Sequence, residues 1–209
     1  MLELNQQNGT DRISRFIQSL IMKEFPKEYL IGMEFGVAYG GGVEALGILR
    51  KDHGFVYGFD TFEGHPKQLA TSLDAHEATC MDDQYAAHGM DTLSYEYIRD
   101  GLDLRGLYNV ILVKGLIDSN CCQGIPKIHY CLLDLDILAS MKTGYDAVKR
   151  RIVIGGYLLL HDVVGHERLP GHQWLPELHQ WYLELKKDPQ WEVVFEGKQE
   201  FLAVLRRVR

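Results

Sequence analysis

Short apolar runs recur along the chain at YLIGMEF, GFVYGFD, YNVILVKG, HYCLLDLD and GYLLLHD. Runs of this kind predict buried strands, because a parallel strand covered on both faces carries apolar residues on both. Segments with helical spacing lie around them. In DRISRFIQSLIMK, Ile13, Ile17, Leu20 and Ile21 share one face, and Pro26 ends that helix. VEALGILRK, DTLSYEYIRDGL and ASMKTGYDAVKRR predict further helices, and another runs from about His172 to Lys186 with Leu178, Tyr182 and Leu185 on one face. WEVVFE and EFLAVLRRV, separated by GKQ, predict a closing antiparallel hairpin.

Strand alternating with helix, then a hairpin, predicts an α/β fold with a mostly parallel central sheet and an antiparallel C-terminal edge. The 209 residues are expected to form one domain. Residues 1–29 would be an N-terminal helical segment, and residues 61–90, polar and without periodicity, a lid or acceptor loop. Ligands of such sheets sit beyond the carboxyl ends of the strands. That directs attention to Glu34, Asp60, Gly115, Asp134, Asp136, His161 and Asp162.

Composition narrows the partners. A hydrophobic fraction of 46% with 24% charged residues is ordinary for a soluble globular chain. No apolar run approaches the roughly 20 residues that span a bilayer. The first residues lack a basic stretch followed by an apolar one, so a cytoplasmic location is expected. A net charge of −7 with scattered basic residues argues against nucleic acid. Arg206, Arg207 and Arg209 are expected to form a solvated tail. Cys80, Cys121, Cys122 and Cys131 make no C-x-x-C pair and are expected to be reduced thiols.

The glycine turn EFGVAYGGG carries the cofactor argument. A dinucleotide fingerprint needs G-x-G-x-x-G, but here Ala38 holds the middle position and Glu34 would repel a diphosphate. A phosphate loop is excluded because no G-K-[ST] follows. Acid-x-Gly-x-x-x-Gly instead resembles the first motif of class I S-adenosylmethionine-dependent methyltransferases. That cofactor has no phosphate and carries an ammonium and a sulfonium. Gly36 and Gly40 would let the chain, with Val37 and Ala38 between them, wrap the methionyl portion. Glu34 would attract the ammonium, and Asp60, followed by Thr61, would accept hydrogen bonds from the ribose hydroxyls. Gly115 and Asp134, both at predicted strand ends, complete the expected cofactor-binding set. The competing account is a glycine-rich loop with a solvated acid.

A second group of candidates is Asp134, Asp136, His161 and Asp162. Oxygen ligands suit magnesium, and a histidine in the set leaves manganese or iron open. Asp134, His161 and Asp162 are the expected metal ligands, with Asp134, His161 and His166 as candidate proton acceptors. Asp136 could instead cap the helix starting near Leu138. Lys142, Lys149 and Arg150 offer the other acids a purely structural pairing.

EFGVAYGGG, VYGFDTFEGHP, VKG and the two acidic strand ends together resemble the macrocin O-methyltransferase family of sugar O-methyltransferases, over about residues 30 to 185. The resemblance implies a Rossmann-like fold, S-adenosylmethionine as donor, and magnesium held at two strand ends. Asp134 matches the first acid of the family's D-x-D segment, a ligand and general base, and Asp136 the second. His161 and Asp162 stand where the family has Asp-Asp, so His161 is a departure. Leu138 to Ser140 also depart from a common Tyr-Glu-Ser.

The function expected is O-methylation of a hydroxyl on a sugar or similar small diol by a homodimeric enzyme. Two alternatives are a metal-independent methyltransferase acting on another acceptor and an inactive cofactor-binding homologue. A nicotinamide oxidoreductase is disfavoured by Ala38 and Glu34. His166 is read as a second base, an acceptor contact or a bland surface residue. His172 lies near a helix start and His179 is assigned to packing or surface. Trp174, Trp181, Tyr182 and Trp191 are assigned to packing. His65, His76, His88, Asp82 and Asp83 would contact acceptor or solvent.

Overall fold

Leu30–Phe35 forms β1, and its alternating side chains divide between two cores. Met33 and Phe35 face one, while Leu30 faces the other. The computed structural model describes residues 29–66, 69, 94–164, 176–197 and 201–209. The expected N-terminal helix, nearly all of the 61–90 loop beyond residue 66, and His166, His172 and Trp174 lie outside the described residues.

The remaining strands are β2 (Gly54–Asp60), β3 (Val110–Lys114), β4 (Ile128–Leu133), β5 (Ile152–His161), β6 (Trp191–Gly197) and β7 (Leu202–Arg207). The helices are α1 (Gly41–Leu49), α2 (Tyr95–Leu104), α3 (Leu138–Val148) and α4 (Pro176–Leu185). The strands form one sheet in the order β3-β2-β1-β4-β5-β7-β6. β1 to β5 pair in parallel, and β7 lies antiparallel to both β5 and β6. The predicted fold class is therefore the one observed.

Helices cover both faces. Met141, Tyr145 and Val148 of α3 and Leu178, Tyr182 and Leu185 of α4 pack on one. Val43 and Leu46 of α1 and Ile98 and Leu102 of α2 pack on the other. Each such side chain contributes about 1.5–3 kcal/mol by leaving water. Among the described residues no helix is long and apolar enough to cross a membrane.

Local signals explain the boundaries. α2 starts at Tyr95 because the Ser94 side chain accepts the Tyr97 N–H. β5 begins earlier than its apolar run suggested, at Ile152, and absorbs an irregularity in its pairing with β4 around Gly155, which has φ 86°. Tyr130 lies across Gly32, where an added Cβ would come within 1.8 Å of the ring, so that glycine is fixed by packing. The basic C-terminus differs from expectation. Arg206 and Arg207 belong to β7, and the Arg207 guanidinium donates to the carbonyls of Lys149 and Ile152, which ties β7 to the end of α3 and the start of β5.

Candidate active site

Strand order reverses between β1 and β4, because β1 leads outward to β2 and β3 while β4 leads the other way to β5. A crevice opens beyond their carboxyl ends at such a point. Beyond Phe35 the backbone turns through positive φ at Gly36 (89°), Ala38 (46°) and Gly40 (79°), and Gly40 starts α1. Its N–H bonds to the Val37 carbonyl at 2.9 Å. A Cβ at Gly36 would lie 1.8 Å from the Asp134 carbonyl oxygen. The absent side chain therefore lets the β1 turn touch the loop leaving β4. A Cβ at Gly40 would press on Ile98 at 2.7 Å, so that glycine too is used for packing within the protein.

Glu34 sits under this turn. Its residue is 1% exposed, and a Cβ on Gly42 would come within 2.4 Å of both carboxylate oxygens. Oε2 has no hydrogen-bond partner among the described residues. Burial, reinforced by the charges of Asp134 and Asp60, holds the Glu34 carboxyl well above the usual carboxylate range. A buried acid of this kind gains most from a cation brought beside it.

Asp60 ends β2 and fastens the glycine turn. Its Oδ2 accepts the N–H groups of Val37 at 2.7 Å and Ala38 at 3.1 Å, and its Oδ1 accepts that of Phe62 at 2.8 Å. A carboxylate has about four acceptor positions; the three amides use three, and Thr61 Oγ1 lies 3.4 Å from Oδ1, so at most one is left for a hydroxyl. Thr61 Oγ1 donates to the Gly64 carbonyl at 2.6 Å and closes the following turn. Gly115, exposed at the end of β3, donates its N–H to the Asp60 carbonyl at 2.9 Å. The expected cofactor residues thus lie together at the carboxyl end of the sheet, with Val37 and Ala38 bonded to Asp60 through their backbone.

Asp134, His161 and Asp162 converge there. His161 Nδ1 is 2.8 Å from Asp134 Oδ1 and 2.9 Å from Asp162 Oδ2. Burial opposes charge on His161, but the two carboxylates outweigh it and hold the imidazole well above its ordinary pKa. The three side chains are partly exposed, and their ligand atoms lie within 4.8 Å of one another. Cis ligands about 2.1 Å from an octahedral ion stand roughly 3.0 Å apart, so the donor set fits a small divalent cation as well as a shared proton.

Asp136 behaves differently from the capping alternative. Ile137 is the N-cap of α3 and no side chain caps it. Asp136, with φ 57°, turns instead to His65, whose Nε2 is 2.9 Å from its Oδ2. The sequence predicts His65 among loop residues facing acceptor or solvent, whereas the structure pairs it with Asp136. The signal for its position was the tight DTFEGHP turn, which returns the chain toward the sheet. His179 accepts a packing role, with Nδ1 2.8 Å from the Val163 carbonyl. His166 lies outside the described residues.

No protein-family model matches the chain, and neither does any curated protein sequence. Solved structures do. The O-methyltransferase NovP aligns with a TM-score of 0.69 at 18% identity, over 96% of this chain and 79% of its own. CalS11, a calicheamicin methyltransferase, aligns with a TM-score of 0.67 at 19% identity, over 97% and 80%. SMU.1697c from Streptococcus mutans, solved in complex with S-adenosylhomocysteine, aligns with a TM-score of 0.58 at 14% identity, over 93% and 97%. The chain has the Rossmann-like fold of class I methyltransferases.

Proposed function

We propose that the protein is an S-adenosylmethionine-dependent O-methyltransferase, assisted by a divalent metal, that methylates a hydroxyl of a sugar or other small molecule in the cytoplasm. The observation that carries this reading is the buried Glu34 carboxylate with its unpartnered Oε2, set with Asp60 and Asp134 around a turn that offers no lysine. A diphosphate would meet three acids and no cation there, and burial already disfavours charge on one of them, Glu34. An ammonium or sulfonium would meet three partners.

The chain's own residues then divide the work. Glu34 attracts the cationic methionyl end, and Asp60 holds the turn while offering its one remaining acceptor position to a ribose hydroxyl. When bound, the cofactor supplies a methyl group whose sulfur departs as a neutral thioether. Asp134, His161 and Asp162 would hold magnesium or manganese, which would lower the pKa of an acceptor hydroxyl and fix its orientation. Asp134 would take the hydroxyl proton at a carboxylate oxygen as the oxygen attacks, whereas His161, contrary to the expectation from the sequence, has no free nitrogen for it either as an imidazolium between the two acids or as a metal ligand. Because the methyl carries its own leaving group, positioning and deprotonation are the main tasks left to the protein.

A metal-free reading is favoured by one observation: His161 Nδ1 already joins the two acids. In that case Asp134 and Asp162 orient the acceptor around an imidazolium. Transfer of a labelled methyl group from S-adenosylmethionine to a panel of vicinal diols and sugars separates the two. We expect transfer to be lost in EDTA and restored by excess magnesium or manganese. Transfer undiminished by EDTA would reject the metal. Tight S-adenosylhomocysteine binding without transfer to any acceptor would favour a non-catalytic homologue.

A further inference from the structure

The pair formed by His65 and Asp136 takes no part in the chemistry above, yet it joins the two halves of the site. Asp60 holds the glycine turn through Val37 and Ala38 and holds its own turn through Phe62. Thr61 closes that turn on Gly64, which has φ 85°, and His65 follows directly. Across the crevice, Asp136 belongs to a turn in which the Ile137 N–H bonds the Leu135 carbonyl, and Asp134 lies two residues earlier. Asp134 in turn meets His161. A polar chain therefore runs from the amides of the glycine turn to the acid cluster, and its crossing point is the bond from His65 to Asp136.

That crossing point has a defined place. β2 and β4 flank β1 on either side, so a bond between the loops that leave them passes beyond the end of β1, where Gly36 turns. The two side chains are only 11% and 18% exposed, which keeps water from competing for the bond. Asp136 adopts a left-handed conformation, φ 57°, which Asp takes more readily than most non-glycine residues.

We propose that His65 is a positioning residue that couples the cofactor crevice to the cluster of Asp134, His161 and Asp162, so that filling the first resets the second. This rests on reading the crevice as an S-adenosyl site. The His65–Asp136 bond links the two sites in addition to the direct contact of the glycine turn with Asp134, and coupling through it requires that both sites bias its arrangement, which is what the test reads.

The test uses the full chain with ring-labelled histidine, followed by NMR at constant pH in EDTA while S-adenosylhomocysteine is added. The His161 resonances are assigned with a His161→Asn variant. In the wild type they should move as the ligand saturates. In His65→Ala the ligand should still bind, with the His161 displacement reduced to less than about a third. His65→Gln keeps a donor for Asp136 and should restore most of it. Asp136→Ala offers a second way to remove the bond should His65→Ala not fold. An unchanged His161 response in either folded variant would overturn the coupling, as would a wild-type response of zero or a loss that glutamine does not rescue. Failure of the wild type to bind S-adenosylhomocysteine would instead overturn the cofactor reading beneath it.

Discussion

Glu34 places a carboxyl where water does not reach, on a strand whose neighbours at that level are Gly58 and Leu132. The cost of that burial is recovered only when a cation arrives, which makes the residue costly to stability and useful to binding. Its folded pKa is raised, so just above the ordinary carboxyl range the folded state holds a proton that the unfolded state has released. Stability therefore falls as pH rises through that window and levels off above the raised value. Glu34→Gln removes this slope. In urea denaturation from about pH 4 to about pH 8, the variant should match the wild type at the acidic end and exceed it increasingly with pH. The same variant should bind S-adenosylhomocysteine about tenfold or more weakly, since a charged hydrogen bond is lost. A stability difference independent of pH would reject the burial argument. At this scale the strand-end positions of Glu34, Asp60, Asp134, His161 and Asp162 were legible, because polar residues that close apolar runs stand out. The sequence could not show that Asp136 reaches His65, a partner 71 positions away that only the folded chain supplies.

The elements were legible to different degrees for physical reasons. β2, with its full apolar run and a closing acid, was readable to both ends. α3 was readable in its body and in its start near Leu138, but not in its cap, because the N-cap is Ile137, a residue with no capping side chain, and Asp136 turns to His65 instead. β5 was longer than its apolar core because its first part pairs before an irregularity at Gly155. The C-terminal hairpin was legible, yet its attachment was not. Trp191 of β6 donates its indole N–H to the Tyr145 hydroxyl of α3 at 3.0 Å, in a buried contact. Tyr145→Phe leaves that indole without an acceptor and should cost about 1–3 kcal/mol, read as a lower urea midpoint at unchanged slope. No change would mean that the hairpin is held by sheet pairing and apolar packing alone.

At the scale of the whole molecule, one sheet brings together acids drawn from four strands that are distant in sequence. Parallel strands make this possible, since all their carboxyl ends open on the same side. The net charge of −7 adds a broad field that attracts small cations to that side and repels polyphosphates. The central claim is that the crevice takes a cationic, phosphate-free adenosyl cofactor. Calorimetric titration of the purified protein with S-adenosylhomocysteine and, separately, with NAD tests it most directly. The account predicts binding of S-adenosylhomocysteine in roughly the micromolar range and no heat with NAD. Binding of NAD without S-adenosylhomocysteine would contradict it and return the glycine turn to dinucleotide chemistry.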